Sequence, residues 1–317
     1  MNGRADAVVV GAGVIGMTTA IRLADAGMRV AVLTTLPPGE TTSALATAMV
    51  GPSFGLAGPR GEAWTAATVA EVLDEERRGA PGVHVCRGLF AGRGAGEPPD
   101  FARGLPGFRA CPPDELPPGF RSGFWLDVPL IDMPPYLEYL GERLAAAGVT
   151  VERVAPLSSL REATALAPRV ANCSGLAARD LVPDPDVVPL RGPKIVVRNP
   201  GIDTFLIEGP PGPDRTSYHP HGDIVVLGGS VRESDDTTPD PAEADAILRR
   251  CAEAEPLLED AEIIEHRVGL RPGRPSIRLE AEEIDGALCV HSYGHAGLGV
   301  TVSWGCAAEV AELLARA

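Results

Sequence analysis

Six consecutive residues near the start of the chain, Gly11-Ala12-Gly13-Val14-Ile15-Gly16, put glycine at the first, third and sixth positions. They follow the apolar run Ala7-Val8-Val9-Val10 and open a segment in which Met17, Ala20, Ile21 and Ala24 recur on one helical face, with Gly27 placed to end it. The chemistry this spacing serves is pyrophosphate binding. The first glycine permits a tight turn, the second lets phosphate oxygens approach the backbone, and the third lets helix and strand pack closely. The helix N-terminus adds free N–H donors and the positive end of its dipole. At the end of the next strand, Val30-Ala31-Val32-Leu33, a carboxylate would ordinarily hold a ribose, but Thr34 and Thr35 stand there and the first carboxylate is Glu40. An uncharged hydroxyl contact suits FAD, which is enclosed over more of its length, better than NAD. A second glycine turn, Gly294-His295-Ala296-Gly297-Leu298-Gly299, precedes the last helical segment. It would aim donors and a dipole at negative charge developing on a ligand.

These turns need elements to hold them, and the pattern supplies them at both ends of the chain. Strand, glycine turn, helix and strand open the sequence as a βαβ unit. At the far end, a strand over 288–291 leads through the glycine turn to a helix over 301–315, with Val302, Cys306, Val310 and Leu313 as its buried stripe. Helices are also expected over 62–78 and 136–147, the latter with Leu137, Leu140 and Leu144 on one side. Strands are expected over 149–151 and 169–173. Between Arg191 and His266, the short runs Ile195–Val197, Phe205–Ile207 and Ile224–Leu227 suggest a separate, largely antiparallel sheet. The expectation is an α/β domain that closes on itself from both termini around a β-rich insert.

Composition narrows the function classes. In 317 residues there are 28 basic and 43 acidic side chains, a formal net charge of −15, which repels nucleic-acid phosphates and anionic lipid surfaces. Lys194 is the single lysine, so lysine Schiff-base chemistry would have to use that residue, and no Gly-Lys-Ser/Thr phosphate loop exists. The six cysteines form no C-x-x-C pair, consistent with thiols of a reducing compartment, and no apolar run reaches membrane-spanning length. Residues 7–21 could pass for a secretory apolar segment, but their glycines have the better use already described. The expected location is the cytoplasm. His219-Pro220-His221 offers two histidines without a third nearby ligand, so no metal is expected.

The stretches Val10–Gly16, Gly107-Phe108-Arg109, Tyr136–Gly148, Asn172–Gly175, Leu227-Gly228-Gly229, Gly269-Leu270-Arg271-Pro272-Gly273-Arg274-Pro275 and Tyr293–Gly305 together resemble the D-amino-acid oxidase family, nearly end to end. The resemblance implies a glutathione-reductase-like FAD-binding domain (residues 1–55, 133–190 and 265–317) and a second, largely antiparallel β substrate domain (56–132 and 191–264). It implies oxidative deamination of a D-amino acid by hydride transfer from Cα to flavin N5, with dioxygen reduced to hydrogen peroxide and the imine hydrolysed to a 2-oxo acid and ammonia. In this reading Arg271 clamps the substrate carboxylate with its planar fork, Tyr218 adds a hydroxyl donor to it, and the backbone carbonyl of Gly297 accepts from the amine. FAD would be held by Gly11, Ala12, Gly13, Val14, Ile15 and Gly16, by Thr34 and Thr35, and by Thr42, Ser43, Thr47, Ala48 and Met49. Arg271, Ala296, Gly297, Leu298, Gly299, Val300 and Thr301 complete the cofactor set. His295, in a glycine loop, fits a structural hydrogen-bonder better than a base.

Three departures bear on the substrate. The segment between Ile207 and Tyr218 lacks the second tyrosine and the apolar lid of vertebrate members. Gly51 stands where mammalian enzymes place a substrate-side glutamine, and Val231 where acid-specific relatives place an arginine. Arg232 is adjacent but would face the other way on a strand. These favour neutral, apolar D-amino acids, with a D-aspartate oxidase or a glycine or amine oxidase as the alternative. A homodimer is compatible with the sequence, which does not set the oligomeric state. From another class, Gly51-Pro52-Ser53-Phe54-Gly55 is a literal G-x-S-x-G with Ser53 as nucleophile, but a nucleophile elbow needs a helix immediately after the serine, which Leu56-Ala57-Gly58-Pro59 does not suggest. An NAD-dependent dehydrogenase, or a redox-inactive protein using the fold only to bind a nucleotide or partner, would share the first glycine turn.

Overall fold

The computed structural model describes residues 4–52, 58–210 and 212–316. In chain order its regular elements begin with β1 (Ala7–Val10), α1 (Val14–Asp25), β2 (Val30–Thr34), α2 (Gly58–Arg77), β3 (Val83–Gly92), β4 (Arg109–Ala110) and β5 (Ser122–Ile131). Then come α3 (Met133–Ala146), β6 (Thr150–Arg153), α4 (Leu160–Thr164), β7 (Arg169–Asn172), α5 (Ala178–Leu181), β8 (Val188–Arg198) and β9 (Phe205–Gly209). The last are β10 (Ser217–His221), β11 (Ile224–Gly228), β12 (Arg232–Glu233), α6 (Pro241–Ala254), β13 (Ile263–Gly273), β14 (Arg278–Ile284), β15 (Ala287–Tyr293) and α7 (Gly299–Ala315). Among the described residues no helix is long and apolar enough to cross a membrane.

The chain divides into two compact units: residues 1–83, 132–189 and 271–317, and residues 84–131 and 190–270. The first holds a six-stranded sheet in the order β14-β15-β7-β1-β2-β6. Its strands are parallel except β14, which returns from β15 through Asp285-Gly286, both at positive φ as a two-residue hairpin turn requires. The chain runs outward from β1 through β2 to β6 and then crosses back to β7 on the other side of β1, so the loops after β1 and β7 part at the C-terminal ends of these strands. That is where open α/β sheets bind ligands. β1 is buried on both faces, which is why Ala7–Val10 is apolar without alternation.

The sequence expectation placed residues 56–132 with the second unit, but α2 belongs to the first. Its Thr68 hydroxyl accepts from the Gly305 N–H of α7 at 3.1 Å, and a Cβ on Gly305 would fall 2.3 Å from Trp64 Cα. The two helices touch backbone to backbone at that glycine. α2 also starts at Gly58-Pro59, with proline in the first turn where its missing N–H costs nothing. Ser53 lies outside the described residues.

A buried polar chain ties three helices of this unit together. Trp304 Nε1 on α7 donates to Tyr136 Oη on α3 at 2.9 Å, Tyr136 donates to Glu75 on α2 at 2.7 Å, and Arg143 donates to the other Glu75 oxygen at 2.7 Å. Arg22 and Arg143 both lie over the Trp304 ring. Burial pushes the fully enclosed Glu75 carboxyl up, against the pull of Tyr136 and Arg143. Removing one member leaves the others buried and unpaired, so Glu75→Ala should cost about 3 kcal/mol or more in urea unfolding, and Glu75→Gln clearly less.

The second unit is built on a nine-stranded sheet in which β12-β8-β11-β10-β9-β3-β5-β4 run in that order and β13 pairs with β8. The central pairs β8–β11, β11–β10 and β10–β9 are antiparallel, and β3–β9 is parallel. α6 covers one face, its Ile247 and Cys251 packing with Ile195, Val197, Leu206, Tyr218, Val225 and Leu227.

Candidate functional site

The first glycine turn has the geometry its sequence demanded. Gly11 sits at φ +106, and a Cβ there would fall 2.5 Å from the Cys173 carbonyl oxygen at the end of β7. A Cβ on Gly16 would lie 1.9 Å from the Gly11 carbonyl oxygen. Gly13 is less crowded, with Ser43 Oγ at 3.1 Å from the same construction. The first and third glycines are therefore required by packing, and the second keeps the backbone bare where a ligand would approach. Ser43 Oγ accepts from the Val14 N–H at 2.9 Å, so its hydroxyl already marks the oxygen position favoured at the α1 N-terminus.

Thr34 is buried, and its hydroxyl donates to the Leu36 carbonyl at 2.6 Å. Thr35 is exposed. Thr42 and Ser43 lie in a single-turn helix, and Thr47, Ala48 (φ +40) and Met49 follow. The Met49 carbonyl accepts from the Thr301 hydroxyl at 3.0 Å, which brings the 42–49 segment to the first turn of α7. The predicted cofactor residues 11–16, 42–49 and 299–301 thus all belong to the first unit.

The second glycine turn is held from two sides. Gly294 takes φ +77 and Ala296 φ +47, and the Ala296 N–H donates to the Pro272 carbonyl at 2.7 Å. This brings Gly297 against Arg271: a Cβ at Gly297 would sit 3.6 Å from Arg271 Cδ. Gly297 itself is exposed. Beside it, His295 is fully enclosed, its Nε2 has no hydrogen-bond partner, and burial pulls its pKa down to about 4. It is neutral near pH 7, an internal strut and not a charged group.

Two arginines of the Arg271-Pro272-Gly273-Arg274 block have different duties. Arg274 Nε donates to Asp184 at 3.1 Å, and Asp184 also accepts from Tyr293 Oη at 2.7 Å, which in turn accepts from Arg278 at 2.6 Å. Burial works against the Asp184 charge, but Tyr293, the Asp186 N–H and Arg274 together hold its carboxyl below the usual range. Asp184 and Tyr293 carry no motif in the sequence, yet they fix the strand on which Arg271 sits.

Tyr218 does not lie where the sequence reading put it. It is 5 % exposed and packs in the core beneath α6 with Leu206, Leu227 and Cys251, and burial pushes its phenol pKa well up. Its strand neighbours Ser217 and His219 point to the opposite face. Val231 is half-buried, and Arg232 is exposed and paired with Asp214 at 2.5 Å.

A family model described as FAD dependent oxidoreductase matches residues 6–313. A D-amino-acid oxidase of Rubrobacter xylanophilus is 45 % identical over 322 residues, covering 100 % of this chain and 98 % of the relative. The chain belongs to the D-amino-acid oxidase family. A D-amino-acid oxidase of Streptomyces coelicolor is 44 % identical, covering 97 % of this chain and 96 % of its own length. Among solved structures, glycine oxidase from Geobacillus kaustophilus shares the fold with a TM-score of 0.81 at 21 % identity, over 99 % of this chain and 95 % of that one.

Members of this family depend on FAD, and the residues present fit that group: a cradle that added Cβ atoms would fill, a hydroxyl already seated at the α1 N-terminus, and a second helix N-terminus at α7. Gly13→Ala should leave the fold intact, because Ser43 can rotate away, but weaken FAD binding by more than about tenfold in a fluorescence titration of apoprotein. Gly16→Ala should fail to fold.

His295 makes a separate prediction. Its pKa falls from 6.5 to about 4 in the fold, so as pH drops through this window the unfolded chain takes up the proton first and stability is lost. The span is worth roughly 3 kcal/mol. His219, shifted in the same direction, adds to the loss. Urea midpoints at pH 7 and pH 4.5 should diverge less for His295→Asn than for the unaltered protein.

Proposed function

We propose that the protein oxidises D-amino acids to imines, which water hydrolyses to 2-oxo acids and ammonia, with dioxygen reduced to hydrogen peroxide. The junction of Arg271 with the Gly294–Gly299 turn carries this reading: a planar two-pronged cation beside the exposed Gly297, two residues before α7. FAD, when bound, supplies a two-electron acceptor for the substrate Cα–H bond and passes the electrons to dioxygen.

The chain's own residues bind and orient. The Arg271 guanidinium donates two parallel N–H groups to the substrate carboxylate, a geometry a lysine could not reproduce. The Gly297 carbonyl accepts from the substrate amine. Holding both groups fixes the substrate in space, so only one mirror form presents its Cα–H to the acceptor, and the rate gain is one of positioning. An amine bound neutral has a free lone pair to become the imine, so no base is needed from the protein. Neutral His295 adds no competing positive charge behind the turn. Gly11–Gly16, Ser43, Thr42, Thr47–Met49 and Ala296–Thr301 would hold the cofactor, with Thr35 better exposed than Thr34 for a ribose contact. All six cysteines are buried free thiols, which supports a reducing, cytoplasmic setting.

Arg271→Ala should keep its yellow colour and lose about a hundredfold in kcat/KM for peroxide release from D-amino acids, the value of one charged, two-pronged contact. Tyr218→Phe should stay within about threefold of the unaltered protein, because the phenol packs in the core. Equal losses for the two variants would return Tyr218 to the substrate.

A further inference from the structure

A second buried polar chain crosses the first unit's sheet. It starts at the half-exposed Glu282 on β14, passes through His291 on β15 and reaches Asn172, the last residue of β7. His291 and Asn172 are in register on the parallel strands β15 and β7, and both are fully enclosed. His291 Nε2 lies 2.8 Å from Glu282 Oε1, and His291 Nδ1 lies 3.0 Å from Asn172 Nδ2. At its other end, Asn172 Oδ1 accepts from the Ser174 N–H at 3.3 Å and from the Ser174 hydroxyl at 2.7 Å.

The direction of this chain is fixed by Ser174. A backbone N–H can only donate, so the amide oxygen faces Ser174 and the amide NH2 faces His291. Nδ1 must therefore accept, which puts the single ring proton on Nε2, donating to Glu282. A second proton on Nδ1 would meet the Asn172 NH2 donor to donor. Turning the amide over gives no relief, because its NH2 would then meet the Ser174 N–H. Either way, a hydrogen bond is lost where water does not reach.

The far end of the chain supports the first glycine turn. A Cβ on Gly11 would fall 2.5 Å from the Cys173 carbonyl oxygen and 3.3 Å from Ser174 Cα, and one on Gly16 would fall 3.5 Å from Cys173 Cβ. The Cys173 N–H donates to the Val10 carbonyl at 2.9 Å. A displacement of residues 172–174 is therefore passed directly to the turn.

The charges around His291 are committed elsewhere or balanced. β14 contributes Arg278, Glu280 and Glu282, with Arg278 bonded to Glu280 and to Tyr293. Tyr293, on the same strand, meets the His291 ring edge-on at 5.7 Å and donates to Asp184. In the segment after β7, Arg179 and Asp180 pair at the surface. On α4, Arg161 pairs with Asp285 and Glu162 accepts from Ser158. On α7, Glu309 is held by Arg60 and Trp64, and Glu312 by Arg316.

We infer that His291 is a positioning residue for the cofactor cradle: neutral, it holds Asn172 and through it residues 173–174 against the Gly11 turn, and its protonation loosens the cradle and weakens FAD binding. The inference concerns how the cofactor is held and is independent of the substrate. Burial lowers the His291 pKa from its ordinary 6.5, and the Arg278 charge adds to this, against the raising effect of the Glu282 bond and of the Glu282 and Glu280 charges. The ring is thus neutral near pH 7 and takes up its proton only as pH falls below 6.5. Within the first unit the other histidine is His295, whose midpoint of about 4 lies lower still.

The test is a flavin-fluorescence titration of apoprotein with FAD from pH 8 to pH 5. The Kd should be constant down to pH 7 and rise by about tenfold or more by pH 5, the signature of one proton excluded from the bound form. His291→Asn places an amide oxygen at the reach of Nδ1 without a titrating ring. It should keep the pH 8 affinity within about threefold and lose the acid limb. Asn172→Asp covers the case in which that variant does not fold. Its carboxylate keeps both Ser174 bonds and accepts from a doubly protonated His291, so its Kd should also stay flat. In long-range proton–nitrogen correlation spectra at pH 8, His291 should be the Nε2–H tautomer. A flat profile in the unaltered protein, an acid limb that persists in both variants, or an Nδ1–H tautomer overturns the inference.

Discussion

The structure depends on one close approach of backbone to backbone. Gly16 at the start of α1 passes so near the Gly11 carbonyl that a single carbon more would be at 1.9 Å, and Gly11 in turn lies against the end of β7. Only hydrogens on these Cα atoms let helix, turn and two parallel strands meet at one point. That meeting leaves the α1 N-terminus pointing over the end of the sheet, its Val14 N–H donating to Ser43 Oγ, a geometry suited to holding a pyrophosphate. Gly305 repeats the device at the opposite end of the chain, where it lets α7 settle onto α2.

Rigidity behind the site comes from polar groups used as internal fasteners. Asp184 gathers Tyr293, Arg274 and, through the tyrosine, Arg278, and so anchors the strand–turn segment from which Arg271 projects. The Ala296 N–H bond to Pro272 then fastens the glycine turn to the same segment. His295, enclosed and neutral, fills the space behind the turn. The consequence is a division of labour among similar residues: Arg274 is structural, Arg271 three positions earlier lies against Gly297 of the glycine turn, and neither placement can be read from residue type alone.

Much was legible in local sequence because local rules decide it. A glycine that must accept φ +106, an apolar run covered on both faces and a helix with one buried stripe leave marks within a few residues. The dinucleotide turn, the αβ ends with a β-rich insert and the second glycine turn belong to that class. α2 was misplaced because its partner, α7, lies more than 200 residues away, and its contact surface is made by the absence of a side chain at Gly305.

By itself, the sequence determined the two glycine turns and the arginine block that precedes the second, since each depends on spacing along the chain. Tertiary structure decided which side chains enter the core. On β10 all five residues are buried, so no alternation of polar and apolar residues betrays the inner side. Only the packing of α6 on one face sends Tyr218 into the core and turns Ser217, His219 and the lysine two strands away to the other side. Strand parity is a local property, but which parity enters the core is set by what lies on top of the sheet.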